Sequence, residues 1–227
     1  LRMLTRELKR AFMLSSNYTW TDFLVDNVDL SVKRLLNADS TTIPEGPNNE
    51  SFDGSSHTHY LARAGGSLAA SDVTGAINTV IEHGYGSMVK LAVSRTDEAT
   101  FRALTGFTAY PDPRVIYRNS DTPGQTLDIS RLDNRPIGIL GGAEVWVKSW
   151  MPANYAFVWD AGSEKPLVVR QRANGTTPGL RIAAEIDAFP LHAQYMEAEF
   201  GVGVWNRANG AVLYFGNTSY ANPTINS

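Results

Sequence analysis

Residues whose types and spacing could do chemistry are few in this chain. His57-Thr58-His59 sets two imidazoles at i and i+2. On an extended segment both fall on one face, a spacing that suits a pair of metal ligands. No carboxylate or third His lies close to them in sequence at ligand spacing, so the pair reads as structural. His83 precedes Gly84, where an imidazole meets the free carbonyls of a helix end, and His192 stands alone. Glu197 and Glu199 share one face of an extended run. Paired carboxylates can do acid/base work. Gly201 and Gly203 on the same face offer no pocket wall, so this pair reads as a solvated or subunit-facing sheet edge. The sequence carries no P-loop, G-x-S-x-G, H-E-x-x-H or complete dinucleotide fingerprint. It has no cysteine, which removes disulfides, zinc-thiolate sites and thiol nucleophiles.

The elements that must position these residues divide the chain unevenly. Leu1, Leu4, Leu8 and Phe12 fall on one helical face from the first residue onward. A pattern that starts without a cap or initiator Met leads to the expectation that an upstream segment is missing. Thr21 or Asp22 can cap a second helix carrying Leu24, Val28, Val32 and Leu35, with acids early and Lys33 and Arg34 late. Residues 37–56 lose periodicity and read as a long exposed loop. Ser71 or Asp72 opens a helix with Val73, Ala76, Ile77, Val80 and Ile81 on one side, and Gly84 ends it. Met88 to Val93 reads as a buried strand, and Thr96-Asp97-Glu98 opens a helix with Phe101 and Leu104 inward. Residues 107–136 are broken by four prolines.

From Ile137 the pattern is nearly all strand: Gly142–Lys148, Tyr155–Trp159, Leu167–Arg172, Leu180–Ile186, Leu191–Trp205 and Ala211–Phe215. The run from Leu191 to Trp205 alternates without a breaker for about 15 residues, against roughly 5–6 in a typical strand. Fully extended it would reach about 50 Å at roughly 3.3 Å per residue. Asn209-Gly210 reads as a hairpin turn into Ala211–Phe215. Among the aromatics, Trp146 and Trp159 read as core and Trp150 as open to either core or interface.

Composition narrows the class of function. The 227 residues carry 20 basic and 23 acidic side chains, a net charge of −3, which argues against a dedicated nucleic-acid binder. Charged residues make up 19%, below the roughly 25% of an ordinary soluble domain, a hint of surface kept for assembly. No apolar run reaches the roughly 18–20 residues of a membrane-spanning helix.

The order of elements resembles the Hong Kong 97-type major capsid proteins of tailed bacteriophages. The stretch DVTGAINTVIEHGYG, Asp72 to Gly86, looks like the first helix of that family's axial domain. MVKLAVSRTDEATFRAL, Met88 to Leu104, looks like its strand and following helix. Ser94-Arg95-Thr96 departs from the Asn-Pro-like turn usual there. Gly138 to Val147, GILGGAEVWV, is similar to the small loop and strand that follow in that family. Leu191 to Phe215 is similar to its long peripheral strand and closing strand. The family's N-terminal arm and extended loop have no counterpart in the sequence.

The resemblance implies an α+β fold of the Hong Kong 97-like kind, with a long spine helix at about residues 20–37, a mixed axial domain and a long-stranded peripheral domain. It divides the chain into residues 1–57 (spine helix and loop), 58–165 (axial) and 166–227 (long strands and closing strand). It implies a structural subunit that assembles into pentamers and hexamers around double-stranded DNA, in a virion assembled in the bacterial host cytoplasm. Partners would be copies of itself and scaffolding, portal or decoration proteins, with no membrane and no cofactor. No catalytic or metal residue is expected. The subunit-interface candidates are Tyr110, Arg114, Arg118, Trp150, Glu197 and Glu199. An encapsulin-type compartment shell is the alternative on the same fold. A metal-dependent α+β enzyme using His57, His59 or the Glu197/Glu199 pair is the alternative outside it.

Overall fold

The computed structural model describes residues 2–22, 27–110, 134–171, 181–198 and 200–225. Its body is a seven-stranded mixed sheet whose central strands are buried on both faces. In spatial order the strands are β3 (Tyr60–Ala62), β13 (Ala211–Tyr214), β8 (Tyr155–Asp160), β4 (Val89–Val93), β7 (Ala143–Lys148), β6 (Asn134–Leu140) and β5 (Thr108–Ala109). β3 runs parallel to β13 and β4 parallel to β7; the other neighbours are antiparallel. Central strands such as VKLAV and YAFVWD are nearly continuous apolar runs, as a sheet covered on both sides requires.

Successive residues of each strand feed opposite layers. Leu91, Val93, Val145, Val158 and Leu213 face a core completed by helix α2 (Ala70–Ile81) and by Phe101 of the short helix α3 (Glu98–Arg102). Ala92, Phe157 and Val212 face a second core filled by Phe12 and Met13 of helix α1 (Arg2–Met13). The helical face of Leu4, Leu8 and Phe12 thus ends on a docking anchor. Tyr220 donates to the Met13 carbonyl at 2.5 Å and Tyr60 to the Leu14 carbonyl at 2.9 Å, which fixes the helix end on the sheet.

Local chemistry explains the boundaries. α2 starts earlier than the expected Ser71 or Asp72 cap: Ala69 is the cap residue, and the Asp72 carboxylate accepts its N–H at 2.9 Å. Gly84, at φ +88°, terminates the segment after α2 as the sequence suggests. Gly141 and Gly142 both have positive φ, which matches a two-residue turn between Leu140 and its partner Ala143.

Three expectations are corrected. The described residues among 20–37 do not form a spine helix, and Leu24 of that expected helix lies outside the described residues. β1 (Tyr18–Asp22) and β2 (Val28–Val32) form an antiparallel hairpin, with Trp20 opposite Leu30. Val28 and Val32 lie four apart, a spacing that serves a helix face and a strand face equally, and the β-branched valines favour the strand. The run from Leu191 to Trp205 is not one strand. β11 (Leu191–Glu197) pairs with β10 (Arg181–Ala188), while β12 (Phe200–Val204) pairs with β9 (Leu167–Gln171). The partner jumps from Arg181 opposite Glu197 to Gln171 opposite Phe200, so pairing divides a run that the alternation alone leaves whole. Asn209-Gly210 is not a hairpin turn either, because β13 pairs with β3 and β8. The buried Asn209 side chain accepts from the Asp160 N–H and donates to the Asp160 and Glu164 carbonyls, fixing the chain to the end of β8.

Candidate functional site

Two regions stand out: a pair of amphipathic ribbons and a cluster of imidazoles. In the β1–β2 ribbon, cross-strand register places Tyr18, Trp20, Val28, Leu30 and Val32 on one face. Thr19, Thr21, Asp29 and Ser31 occupy the other, where Thr21 donates to Asp29 at 2.7 Å. Tyr18, Trp20, Val28 and Leu30 are each 45–48% exposed. In the β10–β11 ribbon, Ala184, Ile186 and Ala188 lie opposite Tyr195, Ala193 and Leu191. Its other face carries Glu185 and Asp187 opposite Gln194 and His192, with His192 3.3 Å from Glu185. On the first face Ile186, Leu191 and Tyr195 are exposed, Ile182 and Met196 form an exposed pair on the other beyond the register shift, and Phe189 between the strands is fully exposed. Large apolar side chains gathered on one face of a two-stranded ribbon mark a surface that needs a partner. The β9–β12 pair differs. α1 packs on β9 and β12, and Leu167 and Val204 lie against the core beneath it.

The second region forms where the 37–56 loop, β3 and the end of α2 meet. His57 and His59 both precede β3, and His83 follows α2. The His57 carbonyl accepts from the Ala38 N–H at 2.9 Å, while the His59 N–H donates to the Leu36 carbonyl and its own carbonyl accepts from Val212. These bonds fix the backbone, and the side chains converge. The Nε2 atoms of His57, His59 and His83 lie 3.0–3.1 Å from one another. Glu82 Oε1 is 3.7 Å from His57 Nε2. Phe52 packs on the rings of His57 and His83, with centroids 4.9 and 4.2 Å away. His59 is fully buried and its Nδ1 donates to the Gly210 carbonyl at 2.7 Å. Burial pushes the His59 pKa down to about 3 and the His83 pKa to about 4, each lowered further by neighbouring imidazoles, and it lowers that of His57. Burial and the nearby Glu50 raise that of Glu82.

The residues singled out from sequence fall in several places. His57 and His59 meet His83, which sequence separation had kept apart from them; the convergence was missed for that reason. His192 lies on the polar face of the β10–β11 ribbon, far in pairing from the cluster. Tyr110 is exposed and donates to Glu144 at 3.1 Å. Trp150 lies against the α1-side core, edge-on to Phe12 at 6.0 Å. Glu197 is exposed at the end of β11. Arg114, Arg118 and Glu199 lie outside the described residues. Trp146 and Trp159, expected in the core, are half-buried; Trp159 stacks on Phe157, and Lys148 sits 4.5 Å over the Trp146 ring. The apolar faces of both ribbons went unread in the sequence, although the alternation of Tyr18, Trp20, Val28 and Leu30 with Thr and Asp was its signal.

No protein-family model and no curated protein matches the sequence. Among solved structures, the fold is similar to that of a chain from Mycobacterium phage Patience, with a TM-score of 0.73 and 23% identity. The match covers 99% of this chain and 64% of that one, so this chain spans under two thirds of its neighbour. The two share a fold. Weaker likenesses are to chains of a satellite phage P4 procapsid including size determination (Sid) protein and of a cyanophage A-1(L) capsid asymmetric unit. Their TM-scores are 0.38 and 0.43, with 16% and 14% identity, covering 79% and 94% of this chain and 47% and 65% of theirs. Among the described residues, no helix is long and apolar enough to cross a membrane.

Proposed function

We propose that this chain is a structural subunit of a phage capsid, assembling with copies of itself into pentamers and hexamers of a closed shell. The observation that carries this reading is the pair of ribbons with exposed apolar faces. A two-stranded ribbon is at best marginally stable alone, and an exposed apolar face of this kind is stabilised by burial against a neighbour. Contacts between unlike surfaces of identical subunits close into rings when the rotation permits. The fold shared with a phage chain supports the same reading.

The shell would enclose double-stranded DNA in the virion, after assembly in the bacterial cytoplasm. A net charge of −3 suits a wall that holds DNA without gripping it, since each phosphate neutralised adds affinity. Scaffolding, portal and decoration proteins are the further partners of such a shell. The division into residues 1–57, 58–165 and 166–227 belongs to this reading, with β13 returning from the last part into the sheet of the middle one. Tyr110, Trp150 and Glu197, with Arg114, Arg118 and Glu199, are its subunit-contact candidates.

Electron microscopy and light scattering of the purified chain test the proposal. Rings or shells of defined size support it. A monomer at every concentration contradicts it. Shells that carry an enzyme instead of DNA would assign the same fold to a compartment.

A further inference from the structure

The imidazole cluster has a geometry that hydrogen bonding cannot close. His59 Nδ1 faces the Gly210 carbonyl at 2.7 Å. A carbonyl only accepts, so the neutral His59 ring holds its proton on Nδ1 and presents a bare lone pair at Nε2. That lone pair faces His57 Nε2 and His83 Nε2 at 3.1 Å each, and those two nitrogens are 3.0 Å apart. Three contacts of near-equal length among three nitrogens require three donors. One nitrogen has no proton to give, so at most two of the contacts can be hydrogen bonds. Whatever the protonation of His57 and His83, one close contact remains unexplained.

A cation at the centre accounts for all three. A tetrahedral zinc ion about 2.0–2.1 Å from each nitrogen sets its ligands roughly 3.3 Å apart. The observed edges of 3.0–3.1 Å lie within a few tenths of that value. A carboxylate stands beside the triad, a little beyond ligand spacing, to close onto the fourth position. Glu82 Oε1 lies 3.7 Å from His57 Nε2, and one donor atom from each of the four residues falls within 4.8 Å of the others. The bond from His59 Nδ1 to a backbone carbonyl is the outer-shell contact that orients a metal-bound imidazole. Phe52 against His57 and His83 provides the apolar cover.

We propose that His57, His59, His83 and Glu82 form a closed, four-coordinate structural site for a divalent transition-metal cation, zinc being the one that fits best. Imidazole and carboxylate donors in this number suit zinc, and a site filled by four protein ligands leaves no open position for a substrate. The ion would tie together three pieces of chain: the end of the 37–56 loop through His57, the start of β3 through His59, and the end of α2 through Glu82 and His83. Metal binding would then contribute directly to folding. The inference stands independently of the capsid reading, since it rests on residues in the body and none in the ribbons.

The test uses the full chain, stripped with a chelator and titrated with Zn2+ and Co2+. The expected result is about one Zn2+ per chain by elemental analysis. Co2+ should give the visible absorption of a tetrahedral site, displaced by Zn2+, and Tm should rise when metal is restored. His83→Gln and Glu82→Gln alter side chains that are not fully buried, so these variants should fold; circular dichroism checks this. His83→Gln should weaken Co2+ binding by at least roughly tenfold, the loss seen even for outer-shell partners. His192→Gln, on the exposed ribbon, should bind as the parent does. Failure of the stripped parent to take up stoichiometric Zn2+ or to gain Tm overturns the proposal. So does an unchanged Co2+ spectrum in a folded His83→Gln chain.

Discussion

The strands of the body and those of the two ribbons draw on the same residue types, yet they end in opposite environments. In the body, Leu91 and Ala92 point to opposite faces and both are fully buried, because α2 covers one side of the sheet and α1 the other. In the ribbons, Trp20, Leu30, Ile186 and Tyr195 line a single face and remain exposed. The difference lies in pattern. VKLAV is apolar at every position but Lys90, and so is matched to two covers. YTWTD and VDLSV alternate, and so are matched to one cover and one solvated face. The body supplies both of its covers from its own chain. The ribbons carry the pattern of a covered strand without a cover in the chain described.

That contrast can be broken by substitution. Truncating the body costs most. Leu91→Ala, at a site with no exposure, should destabilise the chain by about 2–5 kcal/mol in denaturant unfolding, from lost burial and the cavity left behind. A polar anchor at the sheet end comes next. The buried Asp160 carboxylate accepts from the N–H groups of Ser87, Met88 and Gly162 and from the Ser87 and Ser163 hydroxyls. Asp160→Asn cannot accept all of these, and should cost about 1–3 kcal/mol.

Acid should reveal the same anchor. Burial acts to raise the Asp160 pKa, but the hydrogen bonds from Ser163, Gly162, Met88 and Ser87 outweigh it and bring the group down to about 2. A pKa below the ordinary value of 3.8 means that the folded state favours the charged form. Its contribution is complete above about pH 4 and is lost as pH falls towards about 2. Unfolding midpoints measured across that window should drop in the parent and drop less in Asp160→Asn.

The ribbons should behave in the reverse sense. Ile186→Lys and Trp20→Lys alter exposed positions, and each should change the unfolding free energy of the isolated chain by no more than about 0.5 kcal/mol. The same substitutions put a charge into a face meant for a neighbour, and should abolish assembly seen by light scattering. Variants that unfold like body mutants would erase the distinction between the two regions.

Much of the body is legible in the sequence, because its elements are short and each carries one unambiguous period. The helix of Val73, Ala76, Ile77 and Val80 and the run VKLAV are such cases. The ribbons are less legible. Val28 and Val32 satisfy two periods at once, and nothing local to Leu191–Trp205 reveals that its partner strand changes between Glu197 and Phe200. The imidazole cluster is legible only by half. His57 and His59 stand together in sequence, but His83 reaches them through the packing of α2 beside β13 and β8, a tertiary fact. Asn209-Gly210 has the composition of a turn, yet the Asn side chain takes up the role of bonding to β8 instead.

Residue-resolved amide hydrogen exchange, at low and high protein concentration, tests the central claim most directly. It reads local opening in both regions of one sample. Protection across β1, β2, β10 and β11 should rise with concentration as the apolar faces are covered by neighbouring subunits, while β4 and β8 stay protected throughout. Ribbon amides that exchange equally fast at every concentration would contradict the account.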